Sequence, residues 1–151
     1  MTTTFADYAT QQDARNTIQL NVTKWTLMLC DALKQNYIDY SIKSHKRCLD
    51  RGESVDYNNA RIADLRNGEC DYEFIIESGR KYHKIICQFL GPDRSPSRSC
   101  HAFVDKKTGQ IYKSSSWKSP AKGVRYDLRI IEQREWLLQN ADWASSYLYA
   151  K

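Results

Sequence analysis

Between Thr17 and Cys48, the positions Ile18, Val22, Trp25, Leu29, Ala32, Asn36 and Tyr40 recur at intervals of 4, 3, 4, 3, 4 and 4. All are apolar except Asn36, which neighbouring Tyr37 can cover. That spacing puts an apolar stripe on one side of a long helix. Lys43, His45, Lys46 and Arg47 suit the negative end of the helix dipole, Arg51-Gly52 supplies a stop, and Asn16 or Asp13 a start. A stripe of this length must be buried. It can form a seam between subunits, but packing on a sheet of its own domain is the favoured solution.

The rest of the chain supplies that sheet. Glu53–Asn67 permits a short second helix through Ile62, Ala63 and Leu65, closed by Asn67-Gly68. The period then changes from helical to strand-like. Tyr72–Ile76 and Tyr82–Leu90 flank Ser78-Gly79 as one antiparallel hairpin, and Cys100–Val104 and Gln110–Lys113 flank Thr108-Gly109 as a second. Between them, residues 91–99 hold two Pro, three Ser and two Arg, and are expected to form a mobile loop rather than strand. Arg129–Ala141 reads as a helix capped by Asp127, with Ile130, Ile131, Arg134, Leu137, Leu138 and Ala141 on one side. The tail Tyr147-Leu148-Tyr149 alternates like an edge strand, blunted by Lys151. The expected fold is a single α+β domain over residues 1–151: a long N-terminal helix on a curved antiparallel four-stranded sheet of two hairpins, plus a C-terminal helix.

Catalytic chemistry finds little support. Cys30, Cys48, Cys70, Cys87 and Cys100 are odd in number and form no CxxC, so no zinc site is expected. Cys87, within an apolar run, reads as a small buried hydrophobe. No Walker A or GxGxxG pattern calls for a cofactor. Of His45, His83 and His101, the last adjoins Cys100, but neighbours on a strand point to opposite faces and make no dyad. Asp71, Glu73 and Glu77 surround the first strand as exposed-face residues rather than as a converging carboxylate pair. No catalytic residue is nominated, and a non-catalytic role is expected. No apolar run approaches the roughly 18 residues that cross a bilayer, and MTTTFADYATQQ has no signal-peptide pattern, so a cytosolic setting is expected.

Charge is more informative. From Arg80 to Arg125 there are eleven basic residues against two acids, a local net of +9, which leaves −4 for the remainder of a +5 chain. Such asymmetry points to an anionic partner, nucleic acid or a nucleotide, although a solvated basic face gives the same count. Within it, Lys113, Ser116, Trp117, Lys118, Lys122, Gly123 and Arg125 are the candidate binding residues. Lys and Arg neutralise phosphates, an aromatic ring stacks on a base, and Gly123 lets backbone approach an anion. Pro120 limits how far this loop flexes. Trp117 reads equally well as a plug folded into the core.

An aromatic–hydrophobic pair before Asp105-Lys106-Lys107-Thr108-Gly109 is followed by Ile111-Tyr112-Lys113, Ser116-Trp117-Lys118 and Pro120-Ala121-Lys122. This pattern, with the closing Tyr147-Leu148-Tyr149, resembles a family of small bacteriophage proteins, especially from marine and cyanobacterial phages. It covers about a third of the chain and none of the first hundred residues. The resemblance implies a phage-encoded protein in the host bacterial cytoplasm or the virion, with other phage proteins as further partners. It assigns no activity and no functional residue. The alternative role it allows is a structural or accessory virion protein that uses its tyrosines and long helix for protein contacts.

Overall fold

The computed structural model describes residues 4–91 and 96–149. Helix α1 runs over Phe5–Asp50, 46 residues and about 69 Å at 1.5 Å per residue. It starts thirteen residues before Ile18, the first of its apolar stripe, because Thr4 caps it: the Thr4 hydroxyl accepts from Asp7 N–H at 3.1 Å. Neither Asn16 nor Asp13 serves as the cap. The far end stops as expected at Arg51, with Gly52 at φ +72°. Buried positions are Val22, Thr26, Leu29, Cys30, Leu33 and Ile38. The buried face is thus turned toward Thr26, Cys30 and Leu33 and away from Ala32 and Tyr40, which is half-exposed at 52%. Thr26 is tolerated inside because its hydroxyl donates back to Val22 O at 2.7 Å, leaving its methyl to the core.

After α2 (Val55–Arg66) the chain forms one sheet of five strands: β1 (Tyr72–Ser78), β2 (Tyr82–Leu90), β3 (Pro96–Asp105), β4 (Gln110–Lys113) and β5 (Tyr126–Asp127). All pairings are antiparallel, in the order β1-β2-β3-β4-β5. The architecture is the expected α+β one, with two changes. The two-residue β5 adds a fifth strand, and Pro96–Ser99, expected in a loop, belongs to β3, where Pro96 starts the strand and needs no ladder donor. The remaining loop residues 92–95 lie outside the described residues.

The β2–β3 register slips once. Ile85 faces Ala102, but Ile86 faces Cys100, so His101 is an extra residue in β3. Such a bulge reverses the in–out alternation of the strand beyond it. On the inner face, Phe74, Ile85, Cys87, Ala102, Val104 and Ile111 pack with Val22, Leu29 and Leu33 of α1 in one core cluster. On the outer face, Phe103, Cys100 and Arg98 follow the cross-strand partners Lys84, Ile86 and Gln88.

Helix α3 covers Ile131–Asn140. Asp127 does not cap it directly: its carboxylate accepts from Arg129 N–H at 2.8 Å, forming a turn before the helix. Leu137 and Ala141 are buried, whereas Ile130 and Ile131 are exposed and do not belong to the packed side. The tail is not a strand. Ser146–Tyr149 is a helical turn, α4, because the Asp142 carboxylate accepts from the N–H groups of Ser146 (3.3 Å) and Tyr147 (3.1 Å).

One glycine is required by both conformation and space. Gly109 in the β3–β4 turn has φ +75°, and an added Cβ would lie 3.1 Å from Arg129 Cγ and 3.4 Å from Val22 Cγ2. Gly109→Ala is expected to lower the unfolding free energy by about 1–3 kcal/mol, read by urea titration. A loss below about 0.5 kcal/mol would show that the turn can refit around a methyl group.

Candidate functional site

The basic loop after β4 is tightly self-bonded. Ser115 and Ser116 donate their N–H groups to Ser119 O at 3.0 and 3.2 Å, and the Ser115 hydroxyl donates to the same oxygen at 3.0 Å. Ser116 Oγ in turn accepts from the N–H groups of Lys118 and Ser119 at 3.3 and 3.2 Å. The returning limb runs beside β4: Ser114 bridges Pro120, Ala121 N–H donates to Lys113 O at 2.7 Å, and Arg125 N–H to Ile111 O at 2.7 Å. Ser115, Ser116 and Ser119 therefore tie the tip to itself, and Trp117 stands on it.

Trp117 is not a core plug, being 39% exposed. Its ring is met by two cations from the outer face of the sheet. Lys84 Nζ lies 4.3 Å from the ring centroid and Arg98 Cζ 5.7 Å. Lys84 also stands 5.8 Å from the Phe103 ring, and Arg98 reaches Glu77 at 3.5 Å. Beside them, Arg80, Lys81, Lys84 and Lys118 line a hollow of about 220 Å³ with Tyr82 and Phe103, where Glu77 is the one acid of the lining. Lys106 Nζ donates to Gly79 O at 3.0 Å at the same end of the sheet. Arg80, Lys81, Lys84, Arg98, Lys106 and Lys118, spread along the sequence, are thus gathered on one surface.

The candidates taken from the sequence divide. Ser116, Trp117 and Lys118 belong to this surface. Lys113 is opposite Ala102 in the β3–β4 register, hence on the inner side of the sheet, and its Nζ lies 4.5 Å from the Tyr149 ring. Lys122 and Gly123 are exposed on the returning limb, with Gly123 at φ +98° and open space where a side chain would stand. Arg125 is half-buried where that limb rejoins β4. Lys84 and Arg98 sit closest to Trp117 yet were not among the candidates. The only sign of them in the sequence is the charge count from Arg80 onward.

The histidines are committed to structural bonds. His83, buried on β2, bridges Ser78 Oγ (2.7 Å) and Thr23 Oγ1 on α1 (3.0 Å). Because the Thr23 hydroxyl donates to Gln19 O at 2.9 Å, it accepts from His83 Nε2–H, which leaves Nδ1 to accept from Ser78. Burial, and then Lys106, lower the His83 pKa and favour this neutral form. His101 Nε2 shares a 2.7 Å hydrogen bond with Tyr147 OH, and burial pushes its pKa down to about 4. His45 Nδ1 meets Asn58 Oδ1 at 2.6 Å, joining α1 to α2. Burial raises the Cys30 thiol to about 12 and the Cys87 thiol to about 11, so both stay protonated. Cys100 and His101 point to opposite sides of β3 despite the bulge: Cys100 is paired with outer-face Ile86, and His101 packs on inner-face Phe74. Among the described residues no group of three His, Cys, Asp or Glu is placed to hold a metal, and no helix is long and apolar enough to cross a membrane.

The sequence profile of a family of unknown function (DUF7717) matches residues 5–150, almost the whole chain. No curated protein and no solved structure matches.

Proposed function

We propose that this chain, which belongs to the family of unknown function DUF7717, binds nucleic acid through the outer face of its sheet. One observation carries the reading. Lys84 and Arg98 from neighbouring strands meet Lys118 and Trp117 from the serine-built tip, beside a hollow whose other charges are Arg80, Lys81 and the single acid Glu77. Cations fixed in this way neutralise successive phosphates and release their counterions, which makes affinity fall steeply with salt. The likeness of residues 103–122 to bacteriophage proteins supports a setting in the host bacterial cytoplasm or the virion, with other phage proteins as further partners.

The test is fluorescence anisotropy with a labelled 20-mer single strand at several salt concentrations. Each phosphate contact contributes about −0.7 to the slope of log affinity against log salt. Lys84→Ala combined with Lys118→Ala is therefore expected to make that slope shallower by about 1.4 and to weaken binding on every sequence alike. No binding at low salt, or a slope indifferent to both substitutions, sinks the proposal.

A second reading, an accessory virion protein acting through protein contacts, is favoured by the outer side of α1. Phe5 is 84% exposed, Leu20 71% and Leu27 51%, and no residue of α1 before Val22 is buried. Mass spectrometry of purified particles distinguishes the two, since absence from particles removes this second role.

A further inference from the structure

We infer that the nucleic acid is held by its phosphodiester backbone with the bases unread, and that Trp117 is a positioning residue for the cations rather than a stacking platform. This rests on the binding reading above and narrows its ligand class to strands recognised without regard to base.

A base stacks on an aromatic ring only where a ring face is open. Three rings of the patch instead have a cation over them: Lys81 Nζ stands 5.3 Å from the Tyr82 centroid, Lys84 Nζ 5.8 Å from Phe103, and Lys84 and Arg98 4.3 and 5.7 Å from Trp117; Tyr112, the cross-strand partner of Phe103, packs edge-on against Tyr82. Phe103 is also buried. A base entering over the Trp117 face that carries Lys84 would have to displace the ammonium that is to hold its own phosphate. The ring quadrupole attracts the ammonium and guanidinium and fixes where two long, flexible side chains place their charge. Trp117 can do this because the three serines of its turn fix the backbone beneath it, with Ser116 Oγ accepting from two N–H groups. Phe103 and Lys84 are cross-strand partners, so the second ring under that ammonium is set by sheet register rather than by the loop. The cation–ring pairs are therefore internal to the protein: the rings hold the cations, and the cations face the ligand.

The experiment compares a base-bearing 20-mer with an abasic strand of the same length built on tetrahydrofuran residues. The unaltered protein is expected to bind the two within about twofold, whereas stacking would add about 5- to 150-fold for the base-bearing strand. Trp117→Leu, which keeps an apolar side chain but no ring, is expected to weaken both strands equally, by about 3- to 10-fold. Trp117→Phe, which keeps a quadrupole, is expected to stay within about twofold of the parent. Loss of about fivefold or more on the abasic strand overturns the inference while leaving nucleic-acid binding intact. So does a Trp117→Leu effect confined to the base-bearing strand. Failure of both strands to bind the unaltered protein at low salt overturns the binding reading itself. The strand comparison needs no variant and stands even if a substitution disturbs the loop.

Discussion

Leu148→Ala is expected to cost about 2–5 kcal/mol of unfolding free energy, the range for truncating a fully buried leucine. Leu148 sits in the short helical turn α4, yet it is completely buried within the core cluster that holds Val22, Leu29 and Ile85. Two polar anchors keep it there. Asp142 accepts from the N–H groups that start the helical turn, and Tyr126 OH donates to Tyr147 O at 2.8 Å. For a chain of this size the melting temperature should fall by about 5–15 °C. Tyr149→Ala, one residue on and 62% exposed, is the control and should cost less than about 1 kcal/mol. If the two substitutions prove equal in urea or thermal unfolding, the tail is not seated as described.

The second large effect is acid sensitivity centred on His101. Burial depresses its folded-state pKa to about 4 against an ordinary 6.5. Asp142 favours the charged form and opposes part of that shift, while Tyr147 OH bonds to Nε2 and the Phe74 ring packs edge-on against the imidazole. A histidine with a depressed folded pKa takes up its proton first in the unfolded chain. Stability is therefore complete above about pH 6.5, falls as pH drops toward 4, and loses nothing further from this group below that. The loss between pH 7.5 and 4 should be about 3 kcal/mol from His101. His83, lowered in the same direction, adds to it. Urea unfolding at both pH values, on the parent and on His101→Gln, checks this. The variant should lose about 3 kcal/mol less across the interval, and an unchanged pH dependence would count against the buried neutral histidine.

What could be read in the sequence was what local chemistry specifies. The β1–β2 hairpin and the second turn were legible because strand periodicity is local and because Gly109 is needed at positive φ. The long helix was legible in its middle but not at its start, since residues 5–17 bury nothing and leave no stripe to count. The tail misled because Tyr147-Leu148-Tyr149 alternates as a strand would, whereas Asp142, several residues earlier, sets it as a helical turn. The surface around Trp117 was half legible. Its loop announced itself by composition, but Lys84 and Arg98 are 33 and 19 residues away in sequence and meet the ring only through strand register. The extra residue at His101 decides that register, and one inserted residue leaves no trace in composition or periodicity. Without it, the alternation of β3 would send Arg98 to the opposite side of the sheet.

The neighbour-to-neighbour order of the five strands also bears on how the chain assembles. No strand waits for a distant partner, so the sheet can zip from local hairpins, each a microsecond-scale event. The slow search is deferred to the joining of α1 to the segment after α3, as in the bond from Trp143 N–H to Asn36 Oδ1 that spans 107 positions. During synthesis, then, the strands that carry the cationic outer surface leave the ribosome before Leu137, Tyr147 and Leu148 of the inner core.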